Sequence, residues 1–266
     1  MRSFIRWAGS KRLTLGTLRK YWPGNGFRYI EPFAGSACLF FDLEPDRAIL
    51  GDLNSELIGT MNALKQDCEK IIKLVDKIPT GEESYYKIRK MNPKKMSFNN
   101  MAARFLYLNR YCFNGLYRTN LAGKFNVPYA EPKKIGNEYS QNIRNAAKAL
   151  KKAIFVNADF ETTLAYVNKN DFVYLDPPYI VKNREIFSDY TTGSFSAKDL
   201  ERLSKALKSI NAKRAKFLIS YADSREARLL LKPWGPKRVW TRRNIAGFSA
   251  NRRGAFELVG TNFPRS

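Results

Sequence analysis

Apolar positions along the chain change period several times, and each change marks an element. RYIEPF at 28–33 is a short apolar run that predicts a buried strand, and RAILGD at 47–52 predicts a second one ending on a carboxylate. Between them, Ser36 to Asp42 reads as the start of a helix. Asn54 can cap a helix in which Leu57, Ile58, Met61, Leu64, Cys68, Ile71, Ile72 and Val75 recur at helical spacing. That spacing predicts one long helix to about Ile78, closed by Pro79, Thr80 and Gly81. Helical patterns at 83–91 and 97–113 then lead into NGLYRTNLAGKFNVPYA at 114–130, where Gly115, Gly123 and Pro128 frame short aromatic-rich strands of a hairpin.

Alternation of strand and helix resumes after this segment. It comprises a helix at 140–151, strand AIFVN at 153–157, a helix after Asp159 and strand DFVYLD at 171–176. A helix around 197–210, strand KFLIS at 216–220, a helix at 223–231 and closing strands near 237–244 and 255–261 follow. The pattern predicts an α/β fold, a mostly parallel sheet with helices on both faces. The catalytic unit is expected at 1–80 and 140–266, interrupted by an inserted helical and hairpin unit at 81–139.

Composition narrows the chemistry. The 266 residues include no histidine, so imidazole shuttles, His-based triads and His-ligated metals are excluded. Cys38, Cys68 and Cys112 are too few for a four-thiolate zinc site and read as reduced thiols of a cytosolic protein. The opening MRSFIRWAGSKR lacks the apolar stretch of a secretory signal, and no apolar run is long enough to span a membrane, so a cytoplasmic protein without membrane contact is expected. Lys plus Arg number 47 against 24 Asp plus Glu, a net charge of +23. Such an excess, interleaved with 14% aromatics, points to nucleic acid.

In sheets of this kind ligands bind beyond the carboxyl ends of the strands. The first strand runs into Glu31-Pro32-Phe33-Ala34-Gly35-Ser36-Ala37, which is either an ordinary strand-to-helix turn or a loop where backbone approaches a cofactor closely. Asp52 ends the second strand, either as a cap ahead of the helix or as an acceptor for ribose hydroxyls. Asp176-Pro177-Pro178-Tyr179 is more distinctive. Its two prolines stiffen the turn and remove donors, leaving the Asp176 carboxylate, the Pro177 carbonyl and the flat face of Tyr179. An exocyclic amine could donate to both acceptors while its ring stacks on Tyr179. This chemistry needs no histidine.

On these residues the sequence resembles the Dam-type (D12 class) DNA adenine-N6 methyltransferase family over nearly its whole length. RWAGSK (6–11) resembles the family's opening cofactor segment, EPFAGSA its first sheet motif, LGDLNSELI (50–58) its second, and DPPY its catalytic motif. RFLYLNRYCFNGLYRTNLAGKFNVPYA (104–130) is similar to its target-recognition helix and hairpin, and FSDYTTGSF (187–195) and the basic stretch Arg242 to Arg253 resemble further segments. The resemblance implies a Rossmann-like class I methyltransferase sheet, S-adenosylmethionine as methyl donor and double-stranded DNA as partner, with no metal. Trp7, Lys11, Phe33, Gly35, Asp52, Asp159, Phe160 and Asp176 would line the cofactor. Asp176, Pro177, Pro178 and Tyr179 would form the catalytic turn. Phe113 would be a wedge between bases, Asn114 a DNA contact, and Arg118 and Arg6 would reach guanine. Similarity of the hairpin to the GATC-methylating branch makes GATC or a related site the expected target. The chain would act as a monomer, or as a dimer on DNA.

The chain departs from the family at Ala37, where a second glycine is usual, so cofactor affinity is the property this position would affect; Ser10 for Gly is milder. The same pocket could alternatively present a cytosine N4 amine, an RNA adenine or a protein amide, against which the NGLYR hairpin argues. A DNA-binding homologue that has lost catalysis is a further alternative, against which intact DPPY and Asp52 argue.

Overall fold

Strands β1 (Arg28–Glu31), β2 (Ala48–Gly51), β3 (Ala153–Val156), β4 (Asp171–Leu175) and β5 (Lys216–Ala222) lie side by side in parallel, in the order β3-β2-β1-β4-β5. Beyond β5 come β7 (Gly254–Thr261) and the edge strand β6 (Lys237–Arg242), with β7 antiparallel to both neighbours. The structure, a computed structural model, describes residues 1–120, 122–131, 138–179, 195–242 and 254–264. All of FSDYTTGSF except Phe195, and the basic stretch after Arg242, lie outside the described residues.

Strand alternation sorts the core into two layers. Tyr29, Leu50, Phe172, Tyr174 and Leu218 face one side, where they meet helix α1 (Leu15–Leu18) through Leu18, helix α2 (Cys38–Leu43), helix α3 (Ser55–Asp76) through Leu57, Met61, Leu64 and Ile72, and helix α6 (Glu138–Leu150) through Ile143 and Leu150. Ile30, Ile49, Val173, Leu175, Phe217 and Ile219 face the other. They pack on α7 (Phe160–Ala165), α8 (Ala197–Ala212) and α9 (Arg225–Leu231) through Phe160, Leu203, Leu207 and Leu231. Every residue of β4 is buried, so its polar end, Asp176, emerges from an apolar strand with no slack in register.

Helices α4 (Glu82–Lys90) and α5 (Phe98–Tyr111) carry a third cluster, in which Tyr85, Tyr107, Leu108 and Tyr111 cover Phe125 and Val127 of the following loop. Phe105 and Leu106 on α5 instead join the core under α3.

Two local readings of the sequence need correction. The helix expected from Asn54 to about Ile78 breaks at Asp67 (φ −153°, ψ 81°), whose carboxylate caps the second half by accepting from the Lys70 amide at 3.0 Å. Hydrophobic spacing hides the break because both halves bury the same face. The expected hairpin strands at 114–130 form antiparallel bridges, Cys112 with Tyr129 and Thr119 with Phe125, rather than a continuous ladder. Successive left-handed residues Asn114 (φ 54°) and Gly115 (φ 64°) turn the backbone out of strand geometry at its start.

Candidate active site

Chain order reverses between β1 and β4, which are adjacent in the sheet, so the crevice beyond their carboxyl ends is the expected ligand site. The β1 exit reaches it first. Gly35 takes a left-handed φ of 47° and lies under Trp7: a Cβ there would stand 2.9 Å from the indole Cδ1. Only glycine admits both the turn and the ring. Asp52, at the β2 exit, ties this loop down by accepting from the Gly35 amide at 2.9 Å and from the Asn54 amide at 2.8 Å. Asp52 is therefore not the cap of α3; Asn54 is, with its side chain accepting from Leu57 at 3.0 Å. Burial raises the Asp52 pKa, and the backbone amides around it oppose that shift. Next to this loop the Phe33 ring stacks on Phe160 at 5.2 Å and 29°. Asp159 caps α7 and pairs with Arg202, whose guanidinium lies 4.6 Å over the Phe160 ring.

At the β4 exit Lys11 is buried, 6% exposed, among oxygens. Its Nζ is 2.8 Å from Asp176 Oδ1, donates to the Tyr179 hydroxyl at 2.8 Å, and is 3.4 Å from Glu257 Oε1. Burial alone would lower the Lys11 pKa. Asp176, Tyr179 and Glu257 more than offset it and hold the group as ammonium well above the ordinary lysine value. Burial pushes the Asp176 carboxyl up, with Lys11 opposing. It pushes the Tyr179 phenol up as well, reinforced by Asp176. Ser220 on β5 donates to Asp176 Oδ1 at 3.3 Å, and Tyr221 donates to the Pro178 carbonyl at 3.2 Å. Pro177 is buried and Pro178 exposed, so the turn is wedged on one side and open on the other.

The structure thus brings Lys11, Asp176 and Tyr179 into one cluster, Trp7, Gly35 and Asp52 into a second, and Phe33 with Phe160 into a third. It also brings Arg6 against the tip of the loop that follows α5. The Asn109 side chain accepts from the Arg6 amide at 3.0 Å and donates to the Arg6 carbonyl at 2.8 Å, and a Cβ on Gly115 would collide with Arg6 Cβ. Phe113 at this tip is 39% exposed, and Asn114 beside it is also exposed. Arg118 stands apart on the loop's arm, donating Nε–H to Asn126 Oδ1 at 2.9 Å. Trp7 bridges the two regions, stacking on Tyr117 at 5.4 Å and 24°.

Sequence reasoning missed Glu257, Ser220 and Asn109. Glu257 left a trace, a lone carboxylate in the apolar run AFELVG, whereas Ser220 and Asn109 left none. Among the described residues no cluster of Cys, Asp or Glu is placed to hold a metal, and no helix is long and apolar enough to cross a membrane.

This strand order, with an antiparallel β7 inserted beside β5 and a glycine–carboxylate pair joining the exits of β1 and β2, defines an α/β methyltransferase of class I architecture. The signature of the family described as D12 class N6 adenine-specific DNA methyltransferase matches residues 7–245, and the chain belongs to that family of adenine-specific DNA methyltransferases. It is 33% identical to the type II methyltransferase M1.LlaDCHI of Lactococcus lactis subsp. cremoris, over 99% of this chain and 96% of that one. It is 30% identical to the retron Ec67 DNA adenine methylase of Escherichia coli (100% and 93% covered) and 30% identical to the DNA adenine methylase of E. coli K12 (99% and 96%).

Proposed function

We propose that the chain methylates adenine N6 within GATC or a related duplex site, with the target base rotated out of the helix into the crevice at Asp176–Tyr179. The observation that carries this reading is the buried cluster of Lys11, Asp176 and Tyr179 beside the Gly35–Asp52 loop. A carboxylate and a flat ring at one rigid turn suit a planar base bearing an amine. Asp176 and the Pro177 carbonyl accept the two amine protons, Tyr179 stacks on the ring, and the nitrogen lone pair is left directed outward. Holding that geometry matters more than acid–base help, so the absence of histidine is no obstacle.

The crevice fits S-adenosylmethionine. Gly35 lets the β1 loop turn tightly against Trp7, Asp52 offers carboxylate acceptors for ribose hydroxyls, and Phe33 with Phe160 offers an apolar wall for a purine. When bound, the cofactor supplies a methyl group on a positively charged sulfur, which the nearby carboxylates complement. Segment 81–139 would read the DNA, with Phe113 as wedge, Asn114 and Arg6 at the tip, and Arg118 on a guanine edge. Rotating a base out of the stack costs a few kcal/mol, which the wedge and the +23 charge help to offset.

Incubating unmethylated DNA with labelled S-adenosylmethionine, identifying the modified nucleoside and mapping its sequence context tests the reading. N6-methyladenine confined to one short site is expected; N4-methylcytosine, or no product, overturns it.

A further inference from the structure

Glu257 is the second carboxylate of the Lys11 cluster, contributed by β7, and it has no part in the reading above. It is 6% exposed. Its Oε1 accepts the Tyr179 hydroxyl proton at 3.1 Å and lies 3.4 Å from Lys11 Nζ. Its Oε2 is buried and without a hydrogen-bond partner among the described residues. A buried acceptor left unpaired destabilises the fold, and an apolar residue would satisfy a strand interior better. Such a group persists where the site uses it.

Its geometry has two consequences. The Tyr179 oxygen accepts from Lys11 and donates to Glu257, so both sides of the hydroxyl are committed and the ring is held in one orientation. Lys11 faces two carboxylates rather than one, so its ammonium does not fully neutralise Asp176. We propose that Glu257 is a positioning residue of the methyl-transfer centre: it orients the Tyr179 ring and shares the Lys11 charge, so that Asp176 remains a strong acceptor for the target amine. The inference rests on the adenine-N6 reading above.

Glu257→Gln keeps an oxygen for Tyr179 and removes the charge, while Glu257→Ala removes both. Single-turnover methyl transfer should fall about tenfold in the first variant and about a hundredfold in the second. The dissociation constant for S-adenosylmethionine by calorimetry, and that for DNA at fixed salt, should stay within threefold of wild type. Because Glu257 acts through Tyr179, Tyr179→Phe combined with Glu257→Gln should lose less than the product of the separate losses. With 13C-labelled tyrosine, the Tyr179 ring-carbon resonance, assigned by its disappearance in Tyr179→Phe, should move in Glu257→Gln.

Rates within twofold of wild type in a folded Glu257→Gln protein, or an unmoved Tyr179 resonance, overturn the proposal. So does a parallel fall in rate, cofactor affinity and melting temperature, which marks general damage. Should Glu257→Ala fail to fold, Glu257→Gln and Tyr179→Phe still decide. Failure of the wild-type protein to form N6-methyladenine overturns the adenine reading, whereas the resonance test reports on Glu257 without any turnover.

Discussion

Glu31 carries its carboxyl into the core at the end of β1, where the Tyr29 hydroxyl donates to it at 2.9 Å. Burial raises its pKa well above the ordinary 4.5, Tyr29 opposes that shift, and Asp176 and Asp52 reinforce it. A raised folded value means that the folded chain holds this proton more tightly, so its contribution to stability is complete below about pH 4.5 and is lost as pH rises through the folded pKa. Glu31→Gln should remove this component: urea midpoints of the two proteins should converge at low pH and separate above it, with the variant the more stable. Curves that stay parallel would remove Glu31 from the pH response. Asp176→Ala should abolish turnover by removing the proposed acceptor of the target amine, while DNA affinity, which the proposal assigns to the loop after α5 and the basic surface, survives. Near-normal single-turnover methylation in that variant would refute the assignment. Ala37 holds a left-handed conformation (φ 48°, ψ 39°) at the entry to α2. An alanine costs about 1–2 kcal/mol there, but Ala37 is buried, and glycine would lose about 0.8 kcal/mol of methyl burial and about 0.5–1 kcal/mol through its freedom in the unfolded chain, so Ala37→Gly should change stability by less than about 1 kcal/mol. Denaturant titration checks this near-balance, a shift beyond that bound refuting it, and calorimetry with S-adenosylmethionine checks whether cofactor affinity changes.

Among the elements, the loop after α5 depends on close backbone approach at Gly115. Gly115→Ala would place a methyl against Arg6 and force a side chain into φ 64°. The expected result is displaced Arg6, a stability loss of about 1–2 kcal/mol from backbone strain alone, and weakened site discrimination, with cofactor affinity nearly unchanged. Thermal melts and methylation of single-base-variant sites would show it; unchanged discrimination would separate Arg6 from sequence reading. The parallel strands were legible because each is a short apolar run buried on both faces, as in FVYL of β4. The order of the sheet's last strands was not legible. Hydrophobic pattern is the same for parallel and antiparallel pairing, so nothing in AFELVG announces that β7 runs backwards between β5 and β6. The Asp67 break in α3 escaped for a similar reason, since capping by one side chain leaves the apolar stripe intact.

At the scale of the molecule, the +23 charge makes DNA binding salt-dependent, and this separates two roles for Arg118. If Arg118 reads a guanine edge, Arg118→Ala should cut preference at one base position by roughly tenfold to a hundredfold and leave other positions less affected. If it holds a phosphate, affinity should fall uniformly and the salt slope should become shallower by about one. Methylation profiles over single-base-variant sites at two salt concentrations distinguish these, and uniform loss would strike Arg118 from the specificity set. Asp52 and the DPPY turn could be found in the sequence because they end strands, but the Lys11–Glu257 contact joins residues whose separation no local pattern can reveal. That contact also has a meaning in time. An antiparallel strand offers its beginning where parallel strands offer their ends, so β7 delivers Glu257 to Lys11 almost as soon as that strand is made. At ribosomal rates of about 5–20 residues per second, Lys11 precedes Glu257 by roughly 10 to 50 s. For that interval the nascent chain carries a lysine whose second carboxylate has not yet been synthesised, and the centre is completed only with the closing strand of the sheet.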